Sequence, residues 1–311
     1  MVSKIKIFSP ATIANFGPGF DVLGVALESL GDTIIGEILE DDEGEIVIKE
    51  IIGDVPREVD KNTASISAVE CIRILRENYN IKPKSVALTV IKNIPQGGLG
   101  GSASSAVGGA VAINELFGRK LSESEIINAS LNAEGKVSGY HLDNILPCLL
   151  GGFVLIKSYE PLRYVKFNPP KRLFCVIVNP MIMSYLTKDA RKGIPKKEDV
   201  LKVNKRYLLG ILTGLKINNM KIIGENIRDD VVEPIRSMLI PGFYDVKSAA
   251  LKFGALGVSI SGSGPSVFAV TDEYGNAKKI GTAMKNAFLN NGMKRVVVII
   301  SKVSRSGVRV I

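Results

Sequence analysis

Polar and apolar side chains alternate from Lys4 to Phe8, a period of two that predicts a strand. Similar alternation, or a run of β-branched residues, predicts strands at Thr33 to Leu39, Glu45 to Ile51 and Val86 to Lys92. Between them Ile66, Val69, Ile72, Ile74 and Leu75 recur at helical intervals, which predicts a helix over Asn62 to Tyr79 capped by Asp60 or Asn62. Ser102 to Phe117, rich in Ala and Gly, predicts a helix closely approached by other backbone. Ser122 and Glu125 have capping-box spacing, so the next helix begins there and stops at Gly135. Gly151 and Gly152 end another apolar helix, and strands follow at Phe153 to Ile156 and Arg163 to Phe167, with Glu160-Pro161 as the turn between them.

The second half alternates predicted strands (Phe174 to Asn179, Val258 to Ile260, Ser266 to Val270, Val296 to Ile300) with helices near 200 to 216, 246 to 253 and 276 to 291. The whole reads as α+β, and its length suits two domains, 1–155 and 156–311, sharing a cleft. Lys188 to Lys205 is strongly basic and contains Pro195, which fits either a connection over the cleft or a solvated surface segment.

Composition narrows the class. With 46% hydrophobic and 23% charged residues, the 311-residue chain has material for a sizeable core and is not a disordered one. Forty Lys and Arg against 31 Asp and Glu give +9, which favours anionic partners: phosphates, acidic metabolites or nucleic acid. Nucleic acid is disfavoured by the absence of Trp and of an RNP-like aromatic set, so the basic RNA-binding reading is set aside. Cys71, Cys148 and Cys175 form neither a disulfide framework nor a zinc ribbon. The N-terminus lacks a signal-peptide core, and no apolar run approaches the roughly 18 residues that span a bilayer. The expectation is a cytoplasmic protein with no membrane partner.

The richest chemistry lies in Pro95-Gln96-Gly97-Gly98-Leu99-Gly100-Gly101-Ser102-Ala103-Ser104-Ser105, between a predicted strand and a predicted helix. Glycines let backbone N–H groups turn to one point, and the helix N-terminus adds unpaired donors and a positive dipole end, an arrangement that favours a phosphate. Ser102, Ser104 and Ser105 supply hydroxyls, with Ser102 best placed for a metal ion. The spacing is neither Walker A nor GxGxxG, and by itself such a turn is often only a tight loop.

Two further stretches change that balance: Ser9-Pro10-Ala11-Thr12-Ile13-Ala14-Asn15-Phe16-Gly17-Pro18-Gly19-Phe20-Asp21 near one end, and Gly257-Val258-Ser259-Ile260-Ser261-Gly262-Ser263-Gly264-Pro265-Ser266 near the other. Three motifs in this order resemble the GHMP kinases, which pass the γ-phosphoryl group of ATP to small metabolites. The Ala14 to Asp21 stretch and His141-Leu142-Asp143-Asn144 look most like the homoserine kinase branch. The central loop is one residue shorter than the family pattern Pro-x-Gly-x-Gly-Leu-Gly-Ser-Ser-Ala, and Gly101 stands where the first of its two serines is expected.

The resemblance implies a ribosomal-S5-domain-2-like N-terminal domain, a ferredoxin-like α/β sandwich at the C-terminus, and a site in the cleft between them. It implies ATP on the Pro95 to Ser105 loop with Asn62 near the purine, Mg²⁺ on Ser102 and Glu134, and commonly a homodimer. It also implies phosphorylation of L-homoserine to O-phosphohomoserine, a step towards threonine. Asp21 would take the substrate ammonium and Arg191 and Arg236 its carboxylate, with Asn15, His141, Asp143, Asn144 and Thr187 around the hydroxyl end and Gly262 touching substrate. Asp143 is the nearest candidate general base, unless the transfer runs without one. A mevalonate- or shikimate-type kinase is the competing reading; two Arg with an Asp favour an amino acid.

Overall fold

A computed structural model describes residues 3–137, 139–182 and 189–311 of the chain. Seven strands form the first sheet. β1 (Lys4–Ala14) and the long β2 (Leu23–Ile38) pair antiparallel along both halves, with a bulge between Pro10 and Thr12. The outer half of β2 pairs with β4 (Val86–Ile91), and β4 pairs in parallel with β3 (Ile46–Ile52). The inner half pairs with β5 (Phe153–Tyr159), which forms a hairpin with β6 (Leu162–Phe167). The boundary expected at residue 155 therefore falls inside β5.

α1 (Thr63–Tyr79), α2 (Gly101–Leu116) and α4 (Leu142–Leu150) pack on this sheet, and α3 (Glu123–Gly135) packs on these helices. Asn62 caps α1 by accepting from the Ala64 amide at 3.0 Å, and Ser122 with Glu125 forms a reciprocal capping box on α3. The Ala/Gly content of α2 serves close packing: a Cβ on Gly109 would lie 2.1 Å from the Ala64 carbonyl of α1.

The second sheet has the order β10-β7-β9-β8, from β7 (Phe174–Asn179), β8 (Gly257–Ile260), β9 (Val267–Thr271) and β10 (Val297–Lys302). α8 (Phe243–Lys252) and α9 (Tyr274–Asn290) pack on it through a core that includes Val246, Val258, Ile280 and Phe288. α5 (Lys197–Lys216), α6 (Met220–Glu225) and α7 (Val232–Ser237) precede β8, and β11 (Arg309–Val310) returns to the edge of β1. The basic stretch from Lys188 is thus helical from Lys197 onward.

Phe16, from the first motif, joins the two sheets. Its ring stacks on Phe268 of β9 at 5.0 Å and meets Phe153 of β5 edge-on at 4.9 Å, all three fully buried. Each such ring contributes about 1.5–3 kcal/mol by burial, which holds the first motif against β5 and β9. Among the described residues no helix is long and apolar enough to cross a membrane.

Candidate active site

The loop between β4 and α2 is tied by its carbonyls. Asn179 of β7 donates to the Gln96 carbonyl at 2.7 Å, Ser266 to that of Gly97 at 2.6 Å and Ser261 to that of Gly98 at 2.5 Å. The Thr12 amide donates to the Leu99 carbonyl at 3.1 Å. Four successive carbonyls are thus drawn towards the first and third motifs and β7. The first amides of α2 have no intrahelical acceptor, so this end of the helix offers donors and a positive dipole.

Gly97, Gly98 and Gly100 all have positive φ. At Gly98 (φ +83°) a Cβ would lie 2.2 Å from the Ser261 carbonyl. Gly98→Ala is expected to raise the KM for ATP at least tenfold and to lower stability by about 1–3 kcal/mol, measured by steady-state kinetics and urea unfolding.

Behind the loop lies a pair that the sequence analysis missed. Lys92 binds the fully buried Asp32 and also donates to the Gly101 carbonyl and Ser105 Oγ, both at 2.8 Å. Asp32 in turn accepts from the amides of Asn93 and Ile94 at 2.9 and 3.1 Å. This network fixes the exit of β4 and the start of α2. The hydroxyl of Ser105 is part of it, whereas Ser104, turned by helical periodicity, donates to the Ser9 carbonyl at 2.8 Å and is not brought to the loop.

Ser102 and Glu134 meet: the Ser102 hydroxyl donates to Glu134 Oε1 at 2.8 Å. Glu134 is buried near the C-terminal end of α3, where the helix dipole disfavours a carboxylate. A hydroxyl and a carboxylate oxygen suit Mg²⁺, which commonly takes one or two protein carboxylates and completes its shell with water and phosphate oxygens. Asn62 reaches this corner only indirectly, since the next residue, Thr63, donates to the Ser102 carbonyl at 2.9 Å.

A second cluster gathers the charges. Asp21, at φ +57°, receives Arg191 Nη1 on Oδ2 at 3.3 Å and Nη2 on Oδ1 at 3.1 Å. His141 Nδ1 is 3.9 Å from the same Oδ1. Arg236 is buried and donates to the carbonyls of Ala190 at 3.2 Å and Gly262 at 2.6 Å. Both guanidinium groups lie over the Phe20 ring, at 5.8 and 5.4 Å. Asn15 accepts from the Asp21 amide at 3.0 Å and donates to the Gly262 carbonyl at 3.4 Å. Arg191 Nε is buried with no hydrogen-bond partner among the described residues. Thr187 lies outside the described residues.

The first turn of α4 spans the two halves. Asn144 Oδ1 accepts from Thr12 Oγ1 at 2.7 Å, and a Cβ on Gly100 of the loop would lie 2.8 Å from this oxygen. Asp143, fully desolvated beside the acidic end of the cluster, has its carboxyl pushed up to about 7, by burial first and then by the Asp21 carboxylate. Burial, then Arg191, lowers the His141 pKa, which favours the neutral imidazole.

An unfolded Asp titrates near about 3.9, so a folded Asp143 with a raised pKa binds its proton more tightly than the unfolded chain does. Stability from this group is then lost as pH rises from about 4 to about 7. Asp143→Asn is expected to flatten that decline, read as urea midpoints at about pH 5 and about pH 8.

Two family models match the chain, one for the GHMP kinases N terminal domain over residues 67–152 and one for the GHMP kinases C terminal over 211–291. A homoserine kinase of Chlorobium phaeobacteroides is 38% identical, with 98% of each chain covered. The chain belongs to the GHMP kinase family. Within that family, a homoserine kinase of Arabidopsis thaliana is also 38% identical, over 99% of this chain and 85% of the plant protein. The crystal structure of homoserine kinase from Cytophaga hutchinsonii superposes with a TM-score of 0.90 at 41% identity, covering 100% of this chain and 98% of that one.

The two-domain GHMP kinase fold expected from the motifs is the fold observed. The short loop of this GHMP kinase has a local reading too. A Cβ on Gly101 would meet its nearest atom, Lys92 Nζ, at 3.6 Å, so packing does not demand glycine where the family pattern has serine.

Proposed function

We propose that this GHMP kinase transfers the γ-phosphoryl group of ATP to the hydroxyl of L-homoserine, giving O-phosphohomoserine for threonine synthesis. The observation that carries this reading is the Asp21–Arg191 ion pair with Arg236 beside it, at the end of the α4 turn that also touches the phosphate loop. An α-amino acid carries its ammonium and carboxylate on one carbon, so its receptor needs an anion and cations as near neighbours. The buried Arg191 Nε adds a donor suited to a carboxylate. The relatives named above, all homoserine kinases, support the same acceptor.

In this reading the chain acts chiefly by placement. The amides of the loop and of the first α2 turn hold the β- and γ-phosphates, and Asn62 lies towards the purine. Ser102 and Glu134 would hold Mg²⁺, which would supply positive charge against the phosphate oxygens. Asp21 binds the ammonium, Arg191 and Arg236 the carboxylate, and Asn15, His141, Asn144 and Thr187 surround the hydroxyl, with Gly262 alongside. The bond from the γ-phosphorus to the β,γ-bridging oxygen breaks as one to the homoserine oxygen forms. Asp143, titrating near neutral pH, takes the hydroxyl proton. Family likeness alone carries the further expectation of a homodimer, which sedimentation equilibrium checks.

The test is to incubate the protein with ATP and Mg²⁺ and with homoserine, serine, threonine, mevalonate or shikimate in turn, recording ADP. Turnover confined to homoserine supports the reading; preference for mevalonate or shikimate overturns it.

A further inference from the structure

Asp21 occupies left-handed backbone (φ +57°), a region in which a side chain's direction is kept only if the surrounding structure holds it. Arg191 holds the carboxylate itself, and two side chains hold the backbone from opposite sides of the residue. Asn15 Oδ1 accepts from the Asp21 amide at 3.0 Å, and the Tyr159 hydroxyl donates to the Asp21 carbonyl at 2.9 Å. Asn15 comes from the same motif as Asp21, but Tyr159 comes from the far end of β5, 138 positions along the chain. Its ring also carries Lys197, the first residue of α5, with Nζ 4.4 Å from the ring centroid.

We infer that Tyr159 is a positioning residue for acceptor recognition: through its hydroxyl it fixes the Asp21 carbonyl, and so aims the Asp21 carboxylate at the substrate ammonium. The Asp143 carboxyl and the Leu142 amide, in the first turn of α4, also act on this hydroxyl, so its effect is expected first on the acceptor. Burial raises the pKa of its phenol, which therefore remains a hydrogen-bond donor at physiological pH. The inference rests on the homoserine reading and adds to it a determinant of acceptor affinity outside the three motifs.

Tyr159→Phe tests it, because the ring and its contact with Lys197 survive and only the hydroxyl is lost. The expected result is a KM for homoserine about five- to tenfold higher, with the KM for ATP within about twofold of the parent. A merely structural role would move both constants together. Lys197→Arg, which leaves in place both the hydroxyl and the positive charge that acts on His141, is expected to keep the parent KM for homoserine. An unchanged KM for homoserine in Tyr159→Phe, a parallel rise in both constants, or a similar rise in Lys197→Arg overturns the inference. Failure of the underlying reading is separate and visible in the parent protein, as absence of homoserine turnover.

Discussion

Glu134→Gln is expected to lower kcat by about a hundred- to a thousandfold, the scale on which loss of one preorganised electrostatic contact to the transition state is felt. The substitution keeps the size of the side chain and an oxygen able to accept from Ser102 Oγ, so what it removes is mainly charge. That charge sits, buried, at the end of α3 where the dipole opposes it. Low activity in a variant that keeps a cooperative thermal transition is the expected pair of results. The Mg²⁺ concentration for half-maximal rate should also rise. Parent-like kcat and Mg²⁺ dependence would remove Glu134 from the phosphoryl-transfer machinery.

Asp21→Asn carries the largest expected effect on the acceptor side, a fall in kcat/KM for homoserine of about a hundredfold or more. Asparagine is chosen over alanine because it tolerates left-handed backbone, so the variant separates charge from backbone strain at φ +57°. It leaves Arg191 without its anionic partner and the substrate ammonium without a counter-charge. The KM for ATP should stay near the parent value, since the loop is held by Thr12, Asn179, Ser261 and Ser266 and not by Asp21. Full homoserine turnover by Asp21→Asn would show that the ammonium is bound elsewhere.

The strands at Lys4, Glu45 and Val86, the capping by Asn62 and the Ser122–Glu125 box were all legible, because each rests on contacts within a few residues or on a short period. The first half of β2 was not. Leu23 to Leu27 is buried throughout, flanked by β1 and β5 and covered by α4, so it shows none of the alternation that marks a half-buried strand. The short helices α6 and α7 lie below the length at which periodicity becomes readable, although α7 carries Arg236.

Sequence by itself determined the family, the glycine-rich loop and the residue types proposed for its site, since three motifs in order are a property of the chain alone. Tertiary structure decided that Lys92 and Asp32 lie under the loop, that Ser104 turns to β1 while Ser102 meets Glu134, and that Tyr159 holds Asp21. Those contacts join residues 32 to 138 positions apart. Local propensity and spacing act over a turn or a strand, whereas such partners are selected only when helices and sheets pack and every buried polar group must find one.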